Sequence, residues 1–259
     1  MSSLFNFLQR NQIEQGRALP LVHSTEAYYI KQFMKTGKIT TAPCKFFKKE
    51  KLSYFFVGRP AFKRPNENEV EYWELPIFLI VDFKTVKIKR IFPFDSGAFK
   101  RSLYPSYISI MELDEFEVAR DPNSVEKLIG TFFTSNSKYF RLEPRSKQSF
   151  ESKFDVEVLN EEVKALHLLI GDKRAKVDDR RFAIEVQSDQ DMMLTSNSVL
   201  AVVLPEIYLG DPEVIKFIEE DLEALPITYP ILPLNKNYYY QAIYTKVDQF
   251  FKDRRLFDV

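Results

Sequence analysis

Apolar and polar positions fall in blocks along this chain, and the blocks predict a mixture of strands and helices. The densest β-prone run is Leu52-Ser53-Tyr54-Phe55-Phe56-Val57, stopped by Gly58-Arg59-Pro60. Aromatic and β-branched side chains suit a half-buried pleated surface, so this run predicts a strand. Pro60 confines Arg59 to extended or turn backbone and so holds a guanidinium at the strand's end. Leu21 to His23 predicts a shorter strand. Ser24 or Thr25 then caps a helix over Glu26–Lys35, with Tyr29, Ile30, Phe33 and Met34 as its apolar stripe and Gly37 as its stop. Leu75–Phe83 is almost continuously apolar, the pattern of a buried central strand.

The remaining blocks extend this picture. Phe5, Leu8 and Ile13 predict a short docking helix, and Asp121-Pro122 starts a longer one. Arg141–Lys153 reads as a polar loop, and Val158–Leu169 as a helix closed at Gly171. Phe182, Ile184 and Val186 alternate with Ala183, Glu185 and Gln187, which predicts a strand with Glu185 and Gln187 on the face away from the core. Val199–Leu204 is a further buried strand. Asp211-Pro212 opens a helix bearing Val214, Phe217, Ile218, Leu222 and Leu225, and Tyr238–Phe251 predicts a terminal helix. The fold class expected is α+β, a single domain over 1–259, with a helical insertion about 95–175 and a C-terminal helical segment about 211–259.

Composition changes the picture by exclusion. The 37 basic and 37 acidic residues cancel, so any nucleic-acid attraction must come from a local patch. The stretch holding Lys48, Lys49 and Lys63 is one such patch, with an ordinary solvated surface as its plain alternative. The one cysteine, Cys44, offers neither a disulfide nor a zinc spacing, and it reads as incidental. The two histidines, His23 and His167, have no metal-site spacing, and His167 sits in an apolar helical pattern that suits a structural role. Only seven glycines occur, without the P-loop or Rossmann fingerprint. No apolar run is long enough to span a bilayer, so no membrane partner and a cytoplasmic location are expected. Glu185 stands out chemically, because a carboxylate within a strand is costly to bury unless it is paired or used.

The order of three stretches resembles the ADP-ribosyltransferase superfamily of the PARP and diphtheria-toxin type, including the DarT-like bacterial toxins. These are His23-Ser24-Thr25 followed by a helix and Gly37, then Tyr54 in Ser53-Tyr54-Phe55-Phe56, then Glu185 in Ala183-Ile184-Glu185-Val186-Gln187. The resemblance implies a split β-sheet core with helical insertions that binds NAD as co-substrate without a Rossmann loop and without metal. It implies that His23 bonds the adenine-side ribose with Ser24 nearby, that Tyr54 stacks on the nicotinamide, and that Glu185 stabilises the ribose cation. Arg59 would meet the pyrophosphate or the target. Ala183 stands where arginine modifiers of the family carry Glu or Gln, which disfavours an arginine acceptor and leaves Gln187 to contact the acceptor. The DarT-like likeness admits a DNA or RNA acceptor, a toxin or phage-defence role and a neutralising antitoxin protein. An NAD glycohydrolase and an inactive binding module of the same fold are the alternatives.

Overall fold

The computed structural model describes residues 2–13, 16–62, 71–172, 182–231 and 236–257, the side chains of 236–238 excepted. In chain order its strands are β1 (Leu21–Glu26), β2 (Lys38–Ile39), β3 (Ala42–Pro43), β4 (Lys51–Val57), β5 (Pro76–Val81), β6 (Arg90–Phe92), β7 (Glu185–Ser188), β8 (Met192–Met193), β9 (Val199–Pro205) and β10 (Leu225–Tyr229). The helices are α1 (Ser3–Arg10), α2 (Ile30–Thr36), α3 (Ser96–Lys100), α4 (Ser106–Ser109), α5 (Pro122–Phe132), α6 (Asn136–Phe140), α7 (Lys147–Lys153), α8 (Glu161–Gly171), α9 (Pro212–Lys216) and α10 (Lys236–Asp253). The chain divides into two compact units, a sheet unit of Pro20–Lys87 and Gln187–Arg254, and a helical unit of Met1–Leu19, Ile88–Val186 and Arg255–Val259. Of the expected insertion about 95–175, the described residues 95–172 fall in the helical unit. The class is mixed α+β.

The sheet unit is ordered β10-β9-β5-β1-β4, with β3 on β4. All pairs are antiparallel except β9 with β10. β5 lies between β1 and β9, so every residue of Pro76–Val81 is buried, as its unbroken apolar run predicts. β1 is longer than expected, running to Glu26 opposite Pro76. The predicted helix after it is split into a 3₁₀ turn at Ala27–Tyr29 and then α2. Gly37 ends α2 in the left-handed conformation (φ 63°), its N–H on the Phe33 carbonyl at 2.8 Å. Gly58 (φ 58°) turns the chain out of β4 and donates to the Pro20 carbonyl at 2.8 Å, fixing β4 beside the start of β1. The helix expected from Asp211 is broken. After α9 comes one π turn, Phe217–Asp221, and Leu225 lies in β10 and is 49% exposed.

In the helical unit, α1 buries Leu4, Phe7 and Leu8. That face lies one residue away from the expected Phe5, which is half-buried. Arg141–Lys153 is not all loop: Ser146 caps α7 through the Ser149 amide at 3.2 Å. α7 exists because Phe150 is buried there, its ring 6.3 Å from Phe7, 5.6 Å from Phe132 and 4.4 Å from His167. His167 is structural, as expected; its Nε2–H donates to the Arg145 carbonyl at 2.8 Å. β6 is the neighbour of β7 in sheet order. The expectation of one buried and one open face at 182–188 is not met. Phe182 through Ser188 are buried on both faces, Glu185 and Gln187 included.

Candidate functional site

β1 and β4 are adjacent antiparallel strands, and their pairing brings His23 to Tyr54. Nδ1 of His23 is 2.9 Å from the Tyr54 main-chain oxygen. A carbonyl only accepts, so Nδ1 carries the proton. The imidazole packs against Phe55 at 5.4 Å and Phe33 of α2 at 6.3 Å. Burial pushes its pKa below the ordinary 6.5, and the Tyr54 carbonyl pulls partly the other way. Desolvation disfavours the imidazolium more than one neutral acceptor restores it. His23 is therefore a neutral ring of fixed tautomer, with Nε2 as an acceptor.

Tyr54 is half-buried, and its hydroxyl lies 2.9 Å from Cys44 Sγ. The same sulfur accepts from the Phe46 and Phe47 amides at 3.3 and 3.2 Å. Cys44, which its sequence surroundings left incidental, thus belongs to the His23–Tyr54 neighbourhood. The turn that carries it closes with Cys44 N–H on the Glu50 carbonyl at 2.9 Å. Lys48 and Lys49 lie exposed on that turn, Lys49 in the left-handed region at φ 70°. Lys63 falls outside the described residues. Ser24 follows His23 on β1, so the two project to opposite faces of the strand. Its Oγ is buried without a hydrogen-bond partner. Arg59 is 3% exposed, with Nη2 3.2 Å from the Tyr244 hydroxyl and the guanidinium 5.5 Å from the Tyr244 ring of α10.

Glu185 belongs to the helical unit, where it opens β7 and is 2% exposed. Ser96 holds its carboxylate: Oγ donates to Oε1 at 2.6 Å, and the Ser96 N–H lies 3.3 Å from Oε2. Ser96 is itself rigid, being the first residue of α3, which Asp95 caps through the Ala98 amide at 2.9 Å. Nothing local in the sequence links Ser96 to Glu185, 89 positions away. Gln187, two residues on, is 0% exposed.

A second electrostatic clamp lies on the sheet unit. Asp191 Oδ2 meets Lys38 Nζ at 2.7 Å, and Oδ1 accepts from the Thr41 amide at 2.9 Å. The lysine bond first, and then the Thr41 amide, hold this carboxyl down at about 2. The clamp ties together the β2–β8 pair. Among the described residues, no three His, Cys, Asp or Glu side chains gather as a metal site, and no helix is long and apolar enough to cross a membrane. No family model, no curated protein and no solved structure matches this chain.

Proposed function

We propose that the chain is an NAD-dependent mono-ADP-ribosyltransferase with the split-sheet core of that superfamily. The observation that supports this reading is the link of His23 to β4: a neutral imidazole, its Nδ1–H tied to the Tyr54 main-chain carbonyl and its ring packed against Phe55 of the same strand. Nε2 is left as an acceptor, which suits a ribose hydroxyl donor. Tyr54 supplies a ring for the nicotinamide to stack on. Glu185, its geometry fixed by Ser96, supplies negative charge for the cation that develops on the ribose. In this scheme the C1′–nitrogen bond breaks, and nicotinamide leaves with the bonding electrons. A lone pair of the acceptor forms the new bond to C1′, and the acceptor's proton passes to solvent.

A nucleic-acid acceptor, DNA or RNA, is the favoured partner in this reading. The exposed Lys48 and Lys49 suit phosphate contacts. The bearing of Lys63 on those contacts belongs to the proposal alone, as do the toxin role and its antitoxin. Water as acceptor, giving an NAD glycohydrolase, is the second reading. It is favoured by the complete burial of Gln187, the residue assigned to a large acceptor. The test is incubation with NAD labelled in its adenylate, together with separate nucleic-acid and protein fractions of a lysate. Label on nucleic acid supports the first reading. Free ADP-ribose alone supports the second. Intact NAD in every mixture overturns both.

A further inference from the structure

One end of the sheet unit carries an aromatic surface that the proposed reaction does not use. β1 leaves the sheet at Glu26, opposite Pro76, where β5 enters. β9 runs antiparallel to β5 and leaves at Pro205, at the same end. Three short 3₁₀ segments therefore emerge side by side: Ala27–Tyr29, Tyr72–Glu74 and Glu206–Gly210. They are joined to one another. The Ala27 amide donates to the Leu75 carbonyl at 2.8 Å, and the Tyr72 ring lies 6.0 Å from Tyr208 and 4.9 Å from Trp73. Tyr28 lies 5.6 Å from Tyr29 in edge-on contact.

These rings stay largely in water. Tyr28 is 65% exposed, and Tyr72 and Trp73 are each 42% exposed. Isolated exposed aromatics are ordinary, whereas a contiguous group marks a contact surface. Two kinds of ligand favour such rings: unstacked nucleobases and cationic side chains. Charge decides between them. Within 26–31, 71–75 and 206–211 the acidic residues are Glu26, Glu71, Glu74, Glu206 and Asp211, against the single basic Lys31. The Glu71 and Glu74 carboxylates are held beside the rings by a reciprocal capping box, with Glu71 N–H on Glu74 Oε2 at 2.8 Å. A phosphate backbone would be repelled here. A guanidinium or ammonium gains both the ring faces and the carboxylates.

We propose that the face formed by Tyr28, Tyr72, Trp73 and Tyr208, rimmed by Glu26, Glu71 and Glu206, docks a partner protein through a segment rich in arginine. The surface is independent of the NAD reading. Trp73 is the chain's only tryptophan, so its emission reports on this face alone. The probe is a labelled peptide of alternating arginine and glycine, followed by anisotropy and by Trp73 emission. An alternating glutamate–glycine peptide and an oligothymidylate run alongside. The arginine peptide is expected to bind saturably and to shift Trp73 emission, while the other two do neither. Tyr72→Ala and Glu206→Lys are each expected to weaken it about fivefold, with melting temperatures unchanged. Absence of peptide binding overturns the proposal. So does binding that leaves Trp73 emission unmoved, binding of native strength by either variant, or preferential binding of oligothymidylate.

Discussion

Glu185→Gln tests whether the buried carboxylate serves chemistry or only the fold. In the native protein Oε1 takes a short bond from Ser96 Oγ at 2.6 Å, and Oε2 faces the Ser96 amide at 3.3 Å. A glutamine can keep the first bond through its carbonyl. Its NH₂ then meets the Ser96 N–H donor to donor, so the longer contact is lost. Turning a charge-assisted bond into a neutral one costs about 0.5–1.5 kcal/mol. Removing a charge from a site that is 2% exposed offsets part of that. The net effect on stability is thus within about 1 kcal/mol. Under the proposed transfer the effect on turnover is larger, because the ribose carries positive charge only in the transition state. Losing one preorganised electrostatic partner typically slows turnover about 100- to 1,000-fold, or about 3–4 kcal/mol. The assay is nicotinamide release at saturating NAD, with NAD affinity by calorimetry and thermal melting on one preparation. Turnover should collapse, with affinity and melting nearly unchanged. Undiminished turnover in a folded variant would refute the role given to Glu185, and a large melting loss would return the residue to the fold.

Four further outcomes follow from the same geometry. Ser96→Ala should slow turnover about tenfold by removing the Oγ–H bond that orients Glu185 Oε1, leave the KM for NAD near its native value, and recover in Ser96→Thr; a KM change with constant kcat would count against a positioning role. Because the folded pKa of His23 lies below 6.5, the unfolded chain binds its proton first on acidification, so stability should fall as pH drops through 6.5 and level off below the folded pKa; thermal melts of wild type and His23→Gln across pH should differ in slope there. Asp191, held at about 2, strengthens the β2–β8 clamp above its ordinary 3.8 and releases it as pH falls toward 2, so protection of the Thr41 amide in hydrogen exchange should fade over that window in wild type and be weak throughout in Asp191→Asn. Tyr229→Phe removes the hydroxyl that donates to the Pro76 carbonyl at 2.7 Å in the core, and denaturant unfolding should lose about 1–2 kcal/mol.

The strands were legible where one physical pattern dominated. β5 announces itself because a strand flanked on both sides and covered on both faces has no polar position to fill. The stretch after Asp211 misled, because Val214, Phe217, Ile218, Leu222 and Leu225 keep helical spacing across a break. The break had a signal: Leu225 precedes Pro226, which pushes it into extended backbone, and Glu223 takes up φ 48° just before. α7 was hidden for the opposite reason. Seven residues with one buried aromatic, Phe150, show no periodicity at all. Alternation over Phe182–Gln187 predicted a strand, of which only the part from Glu185 forms, in β7, and it misjudged the outer face. That face is closed by partners distant in sequence, of which Ser96 is the plainest. Cys44 was invisible for a similar reason: the turn that brings it to Tyr54 is a matter of hairpin register, not motif.

The chemistry of His23 narrows the choice of reaction class. A histidine that shuttles protons works best with a pKa near the working pH and a nitrogen facing the group it protonates. His23 has its pKa pushed down by burial and its Nδ1–H committed to the Tyr54 carbonyl. As a nucleophile's base it would need Cys44, yet that sulfur accepts from the amides of Phe46 and Phe47 and shares a hydrogen bond with the Tyr54 hydroxyl. A thiol among these donors gains no base from them. With Nδ1–H tied to the carbonyl, this imidazole presents Nε2 as a fixed acceptor, able to orient a hydroxyl. Polyhydroxylated ligands supply such a hydroxyl, and a ribose is one. The prediction that separates this from acid–base use is kinetic. Turnover of the native protein should be flat with pH through the neutral range, whereas a bell-shaped profile with a limb that His23→Asn abolishes would return proton transfer to the ring.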